Sequence, residues 1–411
     1  MIFPITNWAV PIYEYLKGIN KIVLLFICAE LTKIVGFLPP ISSTIIYGII
    51  IIYAIHCLLH TKNYESIYLG LLLYIPLQIL ITSPNVMFSP WQRYILFAII
   101  IITCSGMCQS EILRSERGRI FEIICFSCAI IGVGSFFARF LGINYMQVNG
   151  ITDLSRAGIF GGLASHSMLL GPTAGVGSLY IVNKALENKS VFLFACSILC
   201  LASVLFASSR SAFLSTIAAG FVYLHFKTAN LGTFFKYFVA IFILLACSIP
   251  LWQGAMNGLI EKQNGNVVAG STFASREDKW DQRFEEFKSN PICGYGFVSV
   301  DPTNKDNSIG AGGQSVEPGS SWLSVLSMTG IIGLIFIGSI YVEALLAVAK
   351  NSRNPFLFGV ITLLTVNMFT EGYIFFGGSF LSFLFWITIG VCRDQKYLPI
   401  ENLTNAPNDN Y

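Results

Sequence analysis

The sequence predicts an all-α, polytopic integral membrane protein with about 12 transmembrane helices and one large loop between helices 9 and 10. Three observations lead to this fold class. The 411 residues are 54% hydrophobic and only 11% charged, whereas soluble domains are typically about 25% charged. Apolar runs of the length that crosses a bilayer as a helix recur along the chain. The basic residues are also distributed unevenly between the connections.

Twelve apolar runs are long enough to span a bilayer, and each is taken as one helix. They lie at 22–38, 41–59, 66–83, 91–108, 120–138, 162–183, 190–207, 211–227, 235–252, 322–348, 355–371 and 374–391. Helices 1–9 therefore occupy 1–252, the large loop occupies 253–321, helices 10–12 occupy 322–391, and 392–411 form a disordered tail. The first run is the least typical, because it contains Glu30 and Lys33. The last two are separated by a very short link.

The placement of Lys and Arg predicts the orientation of these helices. If the N-terminus is cytoplasmic, the even-numbered connections lie inside, and they carry most of the basic residues: Lys62, Arg114, Arg117, Arg119, Lys184, Lys189, Lys227, Lys236, Lys350 and Arg353. The short outer connections contain Arg93, Arg139, Arg156 and Arg210. This bias matches the positive-inside rule. The large loop then faces outward and the C-terminal tail is cytoplasmic.

The cysteines do not indicate a metal site. Ten of the 11 cysteines lie in or at the ends of apolar runs, where a thiol behaves as a small hydrophobic group. No C-x-x-C motif has a matching His or Cys partner. We expect neither a bound metal nor a cofactor.

The outer loop contains an amphipathic helix within 271–297. Ser275, three residues before Asp278, has the spacing of a helix cap, and Asn290-Pro291 is a helix stop. Cations and aromatic residues form neighbouring stripes on this helix, consisting of Arg276, Lys279 and Arg283 and of Trp280, Phe284 and Phe287. The helix is predicted to rest its aromatic residues at the membrane interface and to direct its cations toward an anion.

A glycine-rich turn follows the amphipathic helix directly. Gly294 and Gly296 flank Tyr295, and a backbone of this kind can turn sharply and approach a ligand closely. We therefore place this turn among the substrate-binding residues.

Four arginines are expected on the outer face, with few carboxylates nearby: Arg156, Arg210, Arg276 and Arg283. A planar guanidinium suits phosphate oxygens better than an ammonium group does. The arginines therefore indicate a lipid-linked phosphate or diphosphate at the membrane surface. Ser209, beside Arg210, can donate a hydrogen bond to the same oxygens.

Four stretches of the chain, in this order, resemble segments of the O-antigen polymerase and ligase family of bacterial envelope polysaccharide assembly. They are SRAGIFGG (155–162), ASSRSAFLS (207–215), SREDKWDQRFEEFKSNPICGYGF (275–297) and SSWLSVLSMTGIIGLI (320–335). The likeness covers about 150–390. Each motif is loose when taken singly, but four in the right order around the largest outer loop are fairly specific.

The resemblance implies a multi-pass protein of the bacterial inner membrane whose large loop and active face are periplasmic. Its donor would be an undecaprenyl-pyrophosphate-linked glycan, transferred without a metal to an acceptor hydroxyl. Arg210 and Arg276 would neutralise the leaving diphosphate. The ligases carry a His-Asn pair before the helix that follows the loop, where this chain has Gly319 and Ser320. Glu317 or Glu371 is therefore the more plausible base.

We accordingly predict Arg210, Arg276, Glu317 and Glu371 as catalytic residues. The predicted substrate-binding residues are Arg156, Ser209, Lys279, Trp280, Arg283, Gly294, Tyr295 and Gly296. The missing histidine favours a polymerase that joins repeat units. The nearest alternative is a ligase that uses a lipid core or a protein as acceptor.

A flippase for the same lipid-linked sugars and a non-catalytic scaffold are the remaining alternatives. A flippase should carry polar residues through the middle of several spans, whereas here the arginines gather on one side. A scaffold would leave the cation stripe and the glycine turn unexplained. The expected partners are the lipid-linked glycan, an acceptor glycan or lipid, the bilayer, and a chain-length regulator or flippase. We expect no nucleic acid.

Overall fold

The protein is mostly helical in the residues that its computed structural model describes, which are 19–38, 41–85, 88–145, 160–228, 274–301, 319–397 and a few isolated positions between 232 and 239. These ranges contain the helices α1 (Lys21–Thr32), α2 (Ser43–Leu59), α3 (Ser66–Thr82), α4 (Pro90–Cys104), α5 (Glu111–Phe140), α6 (Ser167–Asn188), α7 (Val191–Phe206), α8 (Arg210–Lys227), α9 (Ala274–Ser289), α10 (Ser321–Ala347), α11 (Pro355–Asn367) and α12 (Phe380–Asp394). A π-helical turn, Val348–Ser352, extends α10, and a 3-10 turn, Gln395–Tyr397, extends α12. The short strands β1 (Asn63–Tyr64) and β2 (Cys108–Gln109) pair antiparallel.

Serine side chains begin several of these helices. The hydroxyl groups of Ser110, Ser190, Ser209 and Ser320 each accept a hydrogen bond from a backbone N–H in the first turn of α5, α7, α8 and α10, respectively. Such caps satisfy N–H groups that have no acceptor within the helix. These serines therefore help to determine where the four helices begin.

The helices present apolar side chains outward as well as inward. Leu59 and Val191 are 78% and 84% exposed, whereas Phe97 and Trp386 are fully buried. Within the described ranges, two helices are long and apolar enough to cross a bilayer, Glu111–Phe140 and Ser321–Asn351, and five further apolar helices are shorter. Apolar surface on both sides of a helix is consistent with a membrane protein. The total of 12 spans stays a prediction.

The helices α6 and α8 run parallel with their first turns side by side. A Cβ on Gly175 of α6 would lie 2.5 Å from Oγ1 of Thr216, and one on Gly171 would lie 3.5 Å from Cβ of Ser209 at the start of α8. Residues four apart lie on one helix face, so these two glycines allow α6 to approach α8 along its length.

The helix α11 runs in the opposite direction and ends beside these two starts. Its Gly359 adjoins Tyr223, near the end of α8, whereas its Leu363 adjoins Gly175. The start of α10 also lies there, because the N–H of Ser321 donates to the carbonyl oxygens of Met368 and Glu371, at 2.8 Å and 3.0 Å. We call this region the Arg276 end: the first turns of α6, α8 and α10, the last turn of α11, and the residues through Glu371.

The opposite end of the bundle is built around a buried ion pair, and we call it the Arg117 end: β1, β2, the first two turns of α5 and the last turn of α12. Arg117 donates from Nε and Nη2 to the carboxylate of Asp394, at 2.8 Å and 2.7 Å, and from Nη1 to the carbonyl oxygen of Cys108 at 2.8 Å. Arg393 and Lys396, which the charge pattern places inside, also lie here. That this end faces the cytoplasm stays a prediction.

Several predicted helix ranges differ from the structure or lie largely outside it. The fifth helix begins at Glu111 and not at 120, and the sixth covers Ser167–Asn188 and not 162–183. The first helix ends at Thr32 instead of 38, because Val35 then forms a β-bridge with Ala164. The prediction that helix 12 begins at 374 is wrong, because α12 begins at Phe380. Glu371 therefore lies beyond the end of α11, in an irregular segment at 368–379 and not at a helix end. Most of the ninth run, 235–252, falls outside the described residues, as does the tail from 398 onward.

Candidate functional site

The helix α9 forms in the predicted part of the loop and covers Ala274–Ser289. The chain leaves it at Asn290 and Pro291, where the stop is predicted, but the predicted cap Ser275 is its second residue and does not precede its first turn. Asp278, Asp281 and Glu285 are exposed on its outer face. The opposite face is therefore free to pack on the bundle.

Arg276, in the first turn of α9, forms an ion pair with Glu371. Its Nη2 atom lies 3.0 Å from Oε1 of Glu371, and the two side chains are 19% and 12% exposed. Two residues that the sequence analysis selected independently, 95 positions apart, thus meet. The pair lies near the surface of the molecule, where a ligand can reach it.

The next turn of α9 rests on the residues that precede α10. The indole Nε1 of Trp280 donates to the carbonyl oxygen of Gly319 at 3.3 Å. A Cβ on Gly319, whose φ is +73°, would lie 2.9 Å from Cβ of Lys279. The absence of a side chain at this position therefore lets α9 pack closely here. Gly319 is one of the two positions where the ligases have their His-Asn pair.

Arg210 lies at the same end of the bundle, as the first residue of α8. The hydroxyl oxygen of Ser209 accepts from the N–H of Ala212 and lies 3.1 Å from the hydroxyl oxygen of Ser211. Arg210 is half-buried. The start of a helix carries a partial positive charge from its unpaired N–H groups. This charge and the guanidinium of Arg210 together favour an anion at this place.

Arg283 is positioned differently from Arg276, although both belong to the predicted cation stripe. Its side chain is 2% exposed, and its Nη2 atom lies 2.9 Å from Oε1 of Glu286. The same oxygen of Glu286 accepts from the N–H of Asp301 at 2.9 Å. Burial lowers the pKa of Arg283 and raises the pKa of Glu286. In the structure Arg283 pairs within α9 with Glu286, which joins the helix to the chain at 301. A role of Arg283 in substrate binding stays a prediction.

The predicted glycine turn packs against a kink in α10. The N–H of Tyr295 donates to the carbonyl oxygen of Ser327 at 2.7 Å. Gly330 interrupts α10 with φ of +65°, and a Cβ on Gly294 would lie 2.6 Å from its nitrogen atom. Gly294 and Gly296 have positive φ angles, which glycine adopts without strain. The backbone that approaches Gly294 closely is thus that of α10, whereas Gly296 lies against Pro84. A role of the turn in substrate binding stays a prediction.

A buried amide from α3, which the sequence analysis did not identify, holds this crossing together. Nε2 of Gln78 donates to the carbonyl oxygens of Cys293 and Met328, at 3.0 Å and 2.9 Å, and Oε1 accepts from the N–H of Phe297 at 3.1 Å. The only local signal was a polar residue in the middle of an apolar run. Its partners lie more than 200 positions away, so no local pattern could reveal them.

A cavity of about 390 Å³ opens next to Glu371, between α4 and the irregular segment. Its lining includes Arg93, Gly372 and Phe376. The guanidinium of Arg93 lies 5.8 Å from the centre of the Phe376 ring. In the sequence Arg93 stands out only as a basic residue of an outer connection, because its neighbours in the fold come from a distant segment. Two predicted site residues, Arg156 and Glu317, lie outside the described residues.

One family model matches the chain. Residues 195–338 match the family described as O-antigen ligase. Over this part of the chain, the match supports the resemblance to the O-antigen polymerase and ligase family. The O-antigen ligase match runs from α7 to the first half of α10, and so includes Arg210, Arg276 and the glycine turn, but it ends before Glu371. No curated protein matches the chain.

Proposed function

We propose that the protein is a polymerase of O-antigen or exopolysaccharide repeat units at the periplasmic face of the bacterial inner membrane. Its donor is an undecaprenyl-pyrophosphate-linked glycan, and its acceptor is a sugar hydroxyl of another repeat unit. The observation that carries the proposal is the ion pair between Arg276 and Glu371, 3.0 Å long, at the end of the bundle where α8 begins with Arg210.

In the proposed reaction, the two arginines stabilise the leaving group. The acceptor oxygen attacks the anomeric carbon of the donor, and the bond from this carbon to the diphosphate oxygen breaks. The lipid diphosphate keeps the electron pair of that bond, and its charge is neutralised by Arg276 and Arg210. The proton of the acceptor hydroxyl passes to the carboxylate of Glu371.

The ion pair gives this reaction an order of events. The donor diphosphate competes with Glu371 for the guanidinium of Arg276, because both offer anionic oxygens. When the diphosphate binds, the carboxylate is released and is available to the acceptor hydroxyl. The cavity beside Arg93 and Gly372 adjoins Glu371, and it is the proposed entry for the acceptor.

A reconstitution experiment tests the polymerase proposal. Purified protein is incubated with the lipid-linked repeat unit alone, and the products are separated by length. A ladder of products supports a polymerase. A product that forms only after a lipid core or a protein acceptor is added supports a ligase instead, which is the activity named in the description of the matched family. No product under either condition would favour a flippase.

A further inference from the structure

An unusual amide closes the last turn of α11. Asn367 is fully buried, and neither its Nδ2 nor its Oδ1 atom has a hydrogen-bond partner among the described residues. Buried polar side chains nearly always have a partner. Gln78 is equally buried and shows the ordinary pattern, since both of its side-chain polar atoms are bonded. The two unbonded side-chain atoms of Asn367 therefore lower the stability of the fold and make no hydrogen bond that would offset this cost.

The amide lies within the Arg276 end. The N–H of Glu371 donates to the carbonyl oxygen of Asn367 at 3.0 Å, so the two residues are one helical turn apart. Asn367 is also four positions after Leu363 and shares its face of α11. Leu363 adjoins Gly175, and one turn nearer the Arg276 end Gly171 adjoins Ser209. Asn367 thus faces the first turns of α6 and α8, and Arg210 is the first residue of α8.

The chemistry of the two unbonded atoms indicates which part of the substrate they meet. An amide offers a donor, Nδ2, beside an acceptor, Oδ1. A diphosphate has only acceptor oxygens and would leave Oδ1 of Asn367 unsatisfied. A sugar hydroxyl both donates and accepts, and so does an acetamido group. The pair of unbonded atoms in Asn367 thus matches a sugar and not the diphosphate.

We propose that Asn367 binds the sugar that is joined to the diphosphate of the lipid-linked donor, through a hydroxyl or acetamido group. The inference rests on the proposed function, because it assumes a diphosphate held by Arg276 and Arg210. It adds the group that recognises the first sugar and orients it beside Glu371.

Substitution by leucine separates a substrate role from a structural role. Asn367→Leu keeps a similar volume and removes the two unsatisfied atoms, so the unfolding temperature of the protein should stay the same or rise. Recognition of the sugar should weaken by roughly tenfold, because two hydrogen bonds to the substrate are lost. A residue with only a structural role would not lower binding without lowering stability.

The experiment measures binding to full-length protein in lipid nanodiscs. One probe is the lipid-linked glycan extracted from the source cells, and the other is the same prenyl diphosphate without its glycan. Asn367→Leu should bind the first probe roughly tenfold more weakly and the second probe unchanged. The matched control is Gln78→Leu, which should lower the unfolding temperature because it leaves backbone groups unpaired, without a selective effect on the sugar-bearing probe.

Each other outcome has a definite meaning. If Asn367→Leu binds both probes like the unsubstituted protein, or unfolds at a much lower temperature, the inference is overturned. If both probes lose affinity equally, the contact is to the diphosphate and the assignment to a sugar is wrong. If the unsubstituted protein does not bind the bare prenyl diphosphate, the proposed function fails, whatever Asn367 does.

Discussion

The two ends of the helix bundle hold their arginines in different ways. At the Arg117 end, all three side-chain nitrogen atoms of Arg117 donate to protein oxygens, and the side chains of Arg117 and Asp394 are 1% and 9% exposed. At the Arg276 end, Arg276 and Glu371 meet near the surface, with side chains 19% and 12% exposed. All three nitrogen atoms of Arg117 are thus bonded to protein, whereas the pair of Arg276 and Glu371 is more accessible to solvent.

Arg393, at the Arg117 end, is also buried and paired with carboxylates. Arg393 contacts the carboxylates of Glu65 and Glu343, at 3.1 Å and 2.8 Å, and Tyr397 donates to Glu65 at 2.7 Å. These contacts connect α12 to the start of α3 and to α10. An arginine in an apolar chain can therefore have a structural role or a ligand-binding role. Which role it has depends on the side chains around it and cannot be inferred from the residue type.

Removing the side chain of Arg117 should have the largest effect on stability. Arg117→Ala leaves the carboxylate of Asp394 buried without its cation, and we expect a loss of about 3–5 kcal/mol in the free energy of unfolding. Thermal unfolding in detergent measures it. The control is Arg114→Ala, because Arg114 rests on the ring of Tyr397 at 4.5 Å and should cost about 0.5–1 kcal/mol. Equal effects of the two variants would break the comparison.

Substitution at the Arg276 end should affect activity and spare stability. Arg276→Ala and Arg210→Ala should each reduce polymer formation by about 10²–10³-fold, because stabilisation of the leaving diphosphate is lost. Arg210→Lys should also fail, since an ammonium group cannot bind two oxygens with a planar fork. Polymer length in membranes with matched protein levels is the measurement.

The matched control for these variants is Arg139→Ala. Arg139 lies in the last turn of α5, and its guanidinium rests over the ring of Phe160 at 5.4 Å. Full polymer length is expected for this variant. Full polymer length in Arg210→Lys would show that a fork of two donors is not needed.

A smaller effect on stability is expected at Gly330, where α10 is kinked and the glycine turn packs against it. A Cβ on Gly330 would clash with the carbonyl oxygen of Ile292, and φ at Gly330 is +65°. We expect Gly330→Ala to lower the free energy of unfolding by about 1–3 kcal/mol. Gly338→Ala, also in α10, meets no atom within 4 Å and should be neutral. If the two variants unfold alike, the kink does not hold the glycine turn.

The smallest effect is a dependence on pH at Glu286. Burial raises the pKa of Glu286 in the folded protein, so the folded state binds a proton more tightly than the unfolded state does. The stability from this group is therefore present below the unfolded pKa of 4.5 and is lost as pH rises through the raised folded pKa. Glu286→Gln should remove this decline, and unfolding measured from pH 4 to 8 would show it.

The neighbouring residue Glu285 provides the control for this titration. Its carboxylate lies 2.7 Å from Nζ of Lys288, and both side chains are largely exposed. Glu285→Gln should therefore change stability little and should keep the decline with pH. If stability still declines with rising pH in Glu286→Gln, the decline comes from another titrating group.

The accuracy of the sequence-based predictions depended on whether a feature is local. The end of α9 followed from Asn290-Pro291, because a helix stop acts over a few residues, whereas the helix begins at Ala274, before the predicted cap Ser275. The short link predicted between the last two helices was wrong, because the apolar segment around Phe375 is buried by packing and not by helix formation. Hydropathy does not distinguish a buried irregular segment from a helix.

By itself, the sequence determined the helical character, the apolar surface, the end of α9, and the arginines as candidates for an anion site. These features depend on residues within one or two turns of each other. Only the tertiary structure decided that Arg276 meets Glu371, that Arg283 turns inward to Glu286, and that Asn367 is buried without a partner. Each of these facts concerns which side chains surround a residue, and that depends on how the helices pack.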